Sequence, residues 1–215
     1  KIIEGVNAFK VSVAREIFSQ QLRFKGDNGN EFPEWEILML GDIGQIITGK
    51  TPSTKDLGLW NGDIQFVTPT DISESKYQNS TERTIKRTEK LKILPPKSIM
   101  FTCIASIGKM SLSVNPCVTN QQINSIIPYS NFNNEFVFYA VENISEFIKS
   151  IQSSSTMPII NKSEFSKFKI SVPSQEEQTK IANFLSSIDT KIDVETKLLQ
   201  KLEEQKKFLL QNLFV

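Results

Sequence analysis

The chain has 215 residues, 39% of them hydrophobic and 23% charged, with a net charge of +1. That is the make-up of a globular domain, not of a disordered tail or of a protein that coats nucleic acid regardless of sequence. No apolar run approaches the roughly 18 residues of a membrane span. Histidine is absent and Cys103 and Cys117 are the only thiols, which removes the commonest general base and any Cys/His zinc site. Two unpaired-looking cysteines suit a reduced, cytoplasmic protein.

The first predicted element is a helix over about residues 1–24. Its stretch Lys10 to Phe18 aligns without gaps on Lys206 to Phe214: lysine falls on lysine, and Ile17-Phe18 on Leu213-Phe214. Like helices at the two ends of a chain suggest one period of a larger repeat. With Lys1 in place of Met at the start, a longer parent, or a partner supplying a missing half, is expected. Asp27-Asn28-Gly29-Asn30 is a turn, and 36–40 and 46–48 are expected strands on either side of Gly41. Alternation of polar and apolar residues predicts strands at 63–68, 97–104, 110–114 and 122–128. Residues 132–150 carry Phe136, Tyr139, Ala140, Ile144, Phe147 and Ile148 on one helical face. After a short strand at 170–172, Pro173 stops the sheet; Ser174 and Glu177 have capping-box spacing. From there to Leu213 there is neither Gly nor Pro. A helix of about 38 residues would run about 57 Å, too long for the globule alone, so it should project and pack as a coiled coil. The expected class is α+β: one mostly antiparallel globule flanked by long helices.

Charge is unevenly spread. Residues 50–110 hold 10 Lys/Arg against 6 Asp/Glu, whereas 111–161 hold 1 against 3. A basic, turn-rich stretch suits phosphate, though a solvated face explains the charge as simply. Gly44 to Thr51 fits the letters of a phosphate-binding loop, yet Pro52 follows where a helix should start and 45–48 is strand-like. Asn115-Pro116-Cys117-Val118 lacks the second Pro and the aromatic of an adenine methyltransferase motif.

Several blocks in fixed order carry a resemblance: Phe32-Pro33-Glu34-Trp35, Leu40-Gly41-Asp42-Ile43, Thr48-Gly49-Lys50-Thr51-Pro52, Val67-Thr68-Pro69-Thr70-Asp71-Ile72, Ser106-Ile107-Gly108-Lys109, Thr119-Asn120-Gln121-Gln122-Ile123-Asn124, and Val172 through Ala182. With them the chain resembles the specificity subunit of type I restriction-modification enzymes. The resemblance implies the second half of such a subunit: the tail of a central spacer helix (1–24), a target recognition domain (25–172) and a distal spacer helix (173–215). It implies a non-catalytic protein that reads one half-site of a split double-stranded DNA target. It also implies methylation subunits that carry S-adenosylmethionine and restriction subunits that use ATP, with no cofactor in this chain. Two copies pairing through their helices would read an inverted repeat of the half-site. The alternative is a coiled-coil interaction module without DNA readout.

Recognition should come from the loops, where side chains reach base edges and phosphates. Expected DNA-binding residues are Lys50, Thr51, Ser53 and Lys55 in one loop; Lys76, Gln78, Asn79, Arg83, Lys86, Arg87 and Lys90 in the most polar stretch; and Ser106 and Lys109 at a tight turn. Asn120, Gln121 and Gln122 read as bracing amides, and 153–157 as a hydroxyl-rich loop. Ile181, Phe184, Ile188, Ile192, Leu199, Leu202, Leu209 and Leu213 are the expected subunit-interface residues of the distal helix.

Overall fold

The computed structural model describes residues 1–73, 75–152 and 158–213. The hydroxyl-rich loop at 153–157, Phe214 and the side chain of Leu213 lie outside the described residues. Helix α1 (Ile2–Phe18) opens the chain. It stops six residues short of the expected end, because Gln20 takes a left-handed φ of 61° and the Leu22 amide turns back to the Glu16 carbonyl. The chain continues through β1 (Glu36–Met39), the one-turn α2 (Leu40–Ile43) and β2 (Gly44–Thr48). Then come β3 (Trp60–Val67), β4 (Tyr77–Gln78), β5 (Arg83–Ile85), β6 (Ile99–Thr102), β7 (Met110–Ser113), β8 (Cys117–Thr119) and β9 (Ile123–Pro128). Helix α3 (Asn134–Gln152), the short α4 (Lys162–Lys167), β10 (Lys169–Val172) and the 39-residue α5 (Gln175–Leu213) complete it.

The strands form three sheets: β1-β10; β2-β9-β6-β7-β4; and β5-β3-β8. Pairing is antiparallel except for β4 with β7 and β3 with β8. The five-stranded sheet lays Ile46, Ile99, Phe101, Leu112 and Ile126 into the main core, with Phe136, Val137 and Val141 of α3, Val13 and Ile17 of α1, and Ile181, Leu185 and Ile188 of α5. The three-stranded sheet has its own small core of Trp60, Ile64, Phe66, Ile85, Leu91 and Val118. Val67 at the end of β3 joins a third cluster with Ile72, Leu94 and Met100.

Helices α1 and α5 run antiparallel: Lys10 meets Asp189 at 2.8 Å, while Arg23, beyond the end of α1, reaches back to Glu177 at 2.8 Å. The start of α5 is over-determined. The Glu177 amide is 3.4 Å from the Ser174 hydroxyl, half of the expected capping box. The Glu177 carboxylate does not close the box. It accepts from Arg23 and from the Trp35 indole N–H at 3.1 Å. Gln178 accepts the Asn133 amide that opens α3 and donates to the Pro173 carbonyl. Past Ile192 the helix leaves the globule, and residues 197–212 are all exposed.

Candidate nucleic-acid interface

Trp60 organises the basic face. A bulge between Trp60 and Ile64 shifts the register of β3 against β5. Gly62 permits the close approach there, since a Cβ would lie 2.4 Å from the Ile85 carbonyl oxygen. The Trp60 side chain is 8% exposed and stacks edge-on against Phe66 at 5.3 Å. Its indole N–H donates to the Ser53 carbonyl at 3.1 Å, which ties the loop after β2 to the sheet. The Arg83 guanidinium lies over the ring, 3.9 Å from its centre. The Lys86 amide donates to the Leu59 carbonyl, and Leu91 packs into the same small core. Two segments far apart in sequence, 50–55 and 83–90, therefore meet around one indole. Lys50, Ser53, Lys55, Arg83, Lys86, Arg87 and Lys90 are exposed there. None of the five lysines and arginines flanking Arg83 in this group, nor Arg83 itself, has a carboxylate partner among the described residues. Thr51 is anchored by its hydroxyl to Gln121 Oε1 at 2.6 Å.

Other expected residues fall elsewhere. Lys76 is buried: its ammonium pairs with Glu135 and donates to Tyr139 Oη and Ser186 Oγ at 2.8 Å each. It therefore has no surface to offer a phosphate. Gln78 is 4% exposed and donates to the Ser80 carbonyl, so it too is withdrawn from the surface. Asn79 is exposed, and its amide turns back to the Tyr77 carbonyl. Ser106 and Lys109 sit on the β6–β7 turn, held by Thr102 Oγ1, which accepts the Lys109 amide at 2.9 Å. That turn lies against Lys149 of α3: a Cβ on Gly108, at φ +94°, would come within 2.3 Å of Lys149 Cε. It belongs to a different part of the surface from the Trp60 cluster. The expected bracing amides are seen as such: Asn120 Nδ2 donates to Gln122 Oε1 at 2.9 Å.

On α5, Ile181, Leu185 and Ile188 are buried in this chain's own core, Phe184 packs on Phe24 at 5.7 Å, and Ile192 is partly buried against the same core. Ile181, Phe184, Ile188 and Ile192 therefore hold the helix to its own globule and leave little for a second subunit. Leu199, Leu202 and Leu209, 46%, 52% and 51% exposed, remain open.

Sequence inspection missed an ionic centre where the globule meets both helices. Lys10 bridges Asp189 at 2.8 Å and Glu142 at 3.3 Å, and Lys76 joins Glu135 and approaches Asp189 at 3.9 Å. Tyr139 donates to Asp189, and Tyr77 donates to Glu135 at 2.8 Å. Burial pushes the Tyr139 and Tyr77 hydroxyls up, and the neighbouring carboxylates add to this, so both stay protonated. Burial alone would lower the Lys10 pKa, but Glu142 and Asp189 outweigh it and hold it above the ordinary lysine value. Glu142 is raised by burial and by Asp189, only partly offset by Lys10. The only prior signal was polar residues at otherwise apolar positions of helices, a pattern too common to single out. Among the described residues, no group of three or more His, Cys, Asp or Glu side chains is placed to hold a metal ion.

The structure is thus an α+β globule with a cationic face, clamped to a helix that runs on past it. The chain belongs to the family described as the type I restriction modification DNA specificity domain, whose model matches residues 33–204. It is 34% identical over 208 residues to the type I restriction enzyme MjaIX specificity subunit of Methanocaldococcus jannaschii, covering 92% of this chain and 48% of that one. It is 35% identical over 149 residues to the HindI specificity subunit of Haemophilus influenzae, covering 66% and 32%. The fold is similar to that of the S subunit of the type I restriction-modification system from M. genitalium, with a TM-score of 0.73 at 17% identity, over 99% of this chain and 55% of that one. The chain thus spans about half the length of the relatives it matches. Among the described residues, no helix is long and apolar enough to cross a membrane.

Proposed function

We propose that this chain reads one half-site of a split double-stranded DNA target as the specificity component of a type I restriction-modification assembly. The observation that carries this reading is the convergence around Trp60 of exposed cations that have no carboxylate partner among the described residues, in a chain of the specificity family. Flexible lysines supply phosphate contacts that fix register; amide and guanidinium groups supply base readout. Catalysis is assigned to partners: methylation subunits that use S-adenosylmethionine and restriction subunits that use ATP, with no cofactor bound by this chain. The open leucines of α5 support docking of another helix there, from a methylation subunit or from a second copy. Cys103 and Cys117 are free and buried, which suits the cytoplasm.

The test is DNA affinity against salt for the wild-type chain and for the triple variant Lys86→Ala, Arg87→Ala, Lys90→Ala. Each lost phosphate contact should reduce the slope of log affinity against log salt by about 0.9. The triple variant should bind more weakly with a shallower slope and an unchanged circular dichroism spectrum. Equal affinity and slope would remove this face from DNA binding.

A further inference from the structure

Among the exposed cations of the Trp60 face, which include a second guanidinium at Arg87, Arg83 is the one placed over the indole. Its neighbours Lys50, Lys55, Lys86 and Lys90 are flexible point charges, suited to phosphate. The Arg83 guanidinium carbon lies over the indole at 3.9 Å from its centre, the close approach by which a guanidinium stacks on an aromatic face, with Phe66 also near at 5.8 Å. Trp60 is itself fixed by the Ser53 carbonyl and by burial in the small core. The ring occupies a face of the guanidinium, and a guanidinium donates only in its plane, so its N–H groups remain available. None of them has an acceptor among the described residues, and no carboxylate pairs with them. Arg83 also sits on β5, the edge strand of its sheet, so no further strand covers that side.

A planar fork of donors, oriented before any ligand arrives and without a carboxylate partner among the described residues, matches the paired N7 and O6 acceptors that guanine presents in the major groove. Phosphate recognition would need no such restraint. We propose that Arg83, oriented by Trp60, is the residue through which this domain specifies a guanine in its half-site. This deepens the DNA-recognition reading above and depends on it.

The experiment selects bound duplexes from a library with a randomised core, using the full chain as wild type, Arg83→Lys and Arg83→Met, alone and together with its methylation subunit. Wild type should enrich a motif with a fixed guanine at one position. Arg83→Lys keeps the charge but loses the fork, so that position should become degenerate while the rest of the motif persists. Discrimination there should fall roughly 5- to 150-fold. Arg83→Met keeps a long side chain over Trp60 and should relax the same position. If both variants keep the full motif, Arg83 only covers the indole and the proposal fails. It also fails if Arg83→Lys is silent while Arg83→Met weakens every sequence equally, which marks a phosphate contact. If wild type enriches no motif in either form, the DNA-recognition reading itself falls. Matching thermal melts of the three proteins guard against misfolding.

Discussion

Replacing Glu177 with Gln tests how the long helix is held to the globule. The Glu177 side chain is fully buried, and its two oxygens accept from Arg23 Nη2 at 2.8 Å, Arg23 Nε at 3.2 Å and Trp35 Nε1 at 3.1 Å. An amide keeps the shape but loses the charge and places an N–H against donors. Breaking a buried ion pair from one side costs about 3–5 kcal/mol. The Arg23 side chain is 23% exposed and recovers some hydration, so about 3 kcal/mol, the lower end, is expected. For a domain of this size that is a fall in Tm of roughly 6–12 °C. Urea unfolding followed by tryptophan emission measures it. Of the two tryptophans, Trp35 donates to the substituted side chain and reports on it, while Trp60 lies in the separate small core. The double variant Arg23→Met, Glu177→Met should recover most of the loss, because neither charge is then left alone. A single-variant cost below about 1 kcal/mol, or a double variant no better than Glu177→Gln, would refute this account of the clamp.

Three further outcomes are expected. Lys76→Met should lower the melting temperature by stranding Glu135 in the ionic centre, yet leave the salt slope of DNA binding unchanged; a shallower slope would return Lys76 to the interface. Leu185→Ala, at a fully buried site, should cost about 2–5 kcal/mol in urea unfolding, whereas Leu202→Ala should stay within about 0.5 kcal/mol; equal costs would mean that α5 is covered along its length. Burial pushes the Cys103 thiol up to about 11 and the Cys117 thiol up to about 12 from an ordinary 9.0. Folded-state pKa values above the unfolded one mean that stability is complete below pH 9 and is lost above it, by up to about 2.7 kcal/mol per pH unit for the two thiols together. Cys117→Ala should halve that thiol-dependent slope in urea titrations between pH 9 and 11; no change would show the thiol to be solvated.

Elements with a strong period were legible in the sequence. The 39-residue α5 has no Gly or Pro to interrupt it, and the sequence of β7 alternates strictly between apolar and polar residues. Strands β4, β5 and β8, of two or three residues each, were not expected, since so short a run carries no measurable period; their conformation is imposed by neighbouring strands. Helix α4 escaped for the same reason, although Asn161 and Glu164 form a capping box at its start. At the candidate site, composition located the basic stretch but not the direction of each side chain. Lys76 and Lys86 look alike in sequence. One follows a turn that aims it at α3 and α5, and the other follows the edge strand β5 and faces solvent. The joining of 50–55 to 83–90 depends on Trp60, whose importance is a matter of register across β3 and β5.

The ionic centre bears on why such a domain should be fixed to its helix at all. A globule that reads half of a split site is useful only if its reading face keeps a set angle and distance from the other reading face. Hydrophobic contacts between α3 and α5 would tolerate sliding by a helical turn, because apolar surfaces match approximately in several registers. Charged groups with few good partners do not. Lys10 on α1, Lys76 before β4, Glu135 and Glu142 on α3 and Asp189 on α5 meet at one point. Moving α5 by a turn would carry Asp189 about 5.4 Å away, taking from Lys10 its shorter ion pair and from Tyr139 its acceptor and leaving Lys10 with Glu142 alone. Together with the Arg23–Glu177–Trp35 clamp nearer the start of α5, this pins the helix at two places several turns apart. Two such points fix its direction as well as its position; if the chain reads a half-site as proposed, the spacing of its reading face along the helix is then built into the core of the domain and does not have to be set by the DNA.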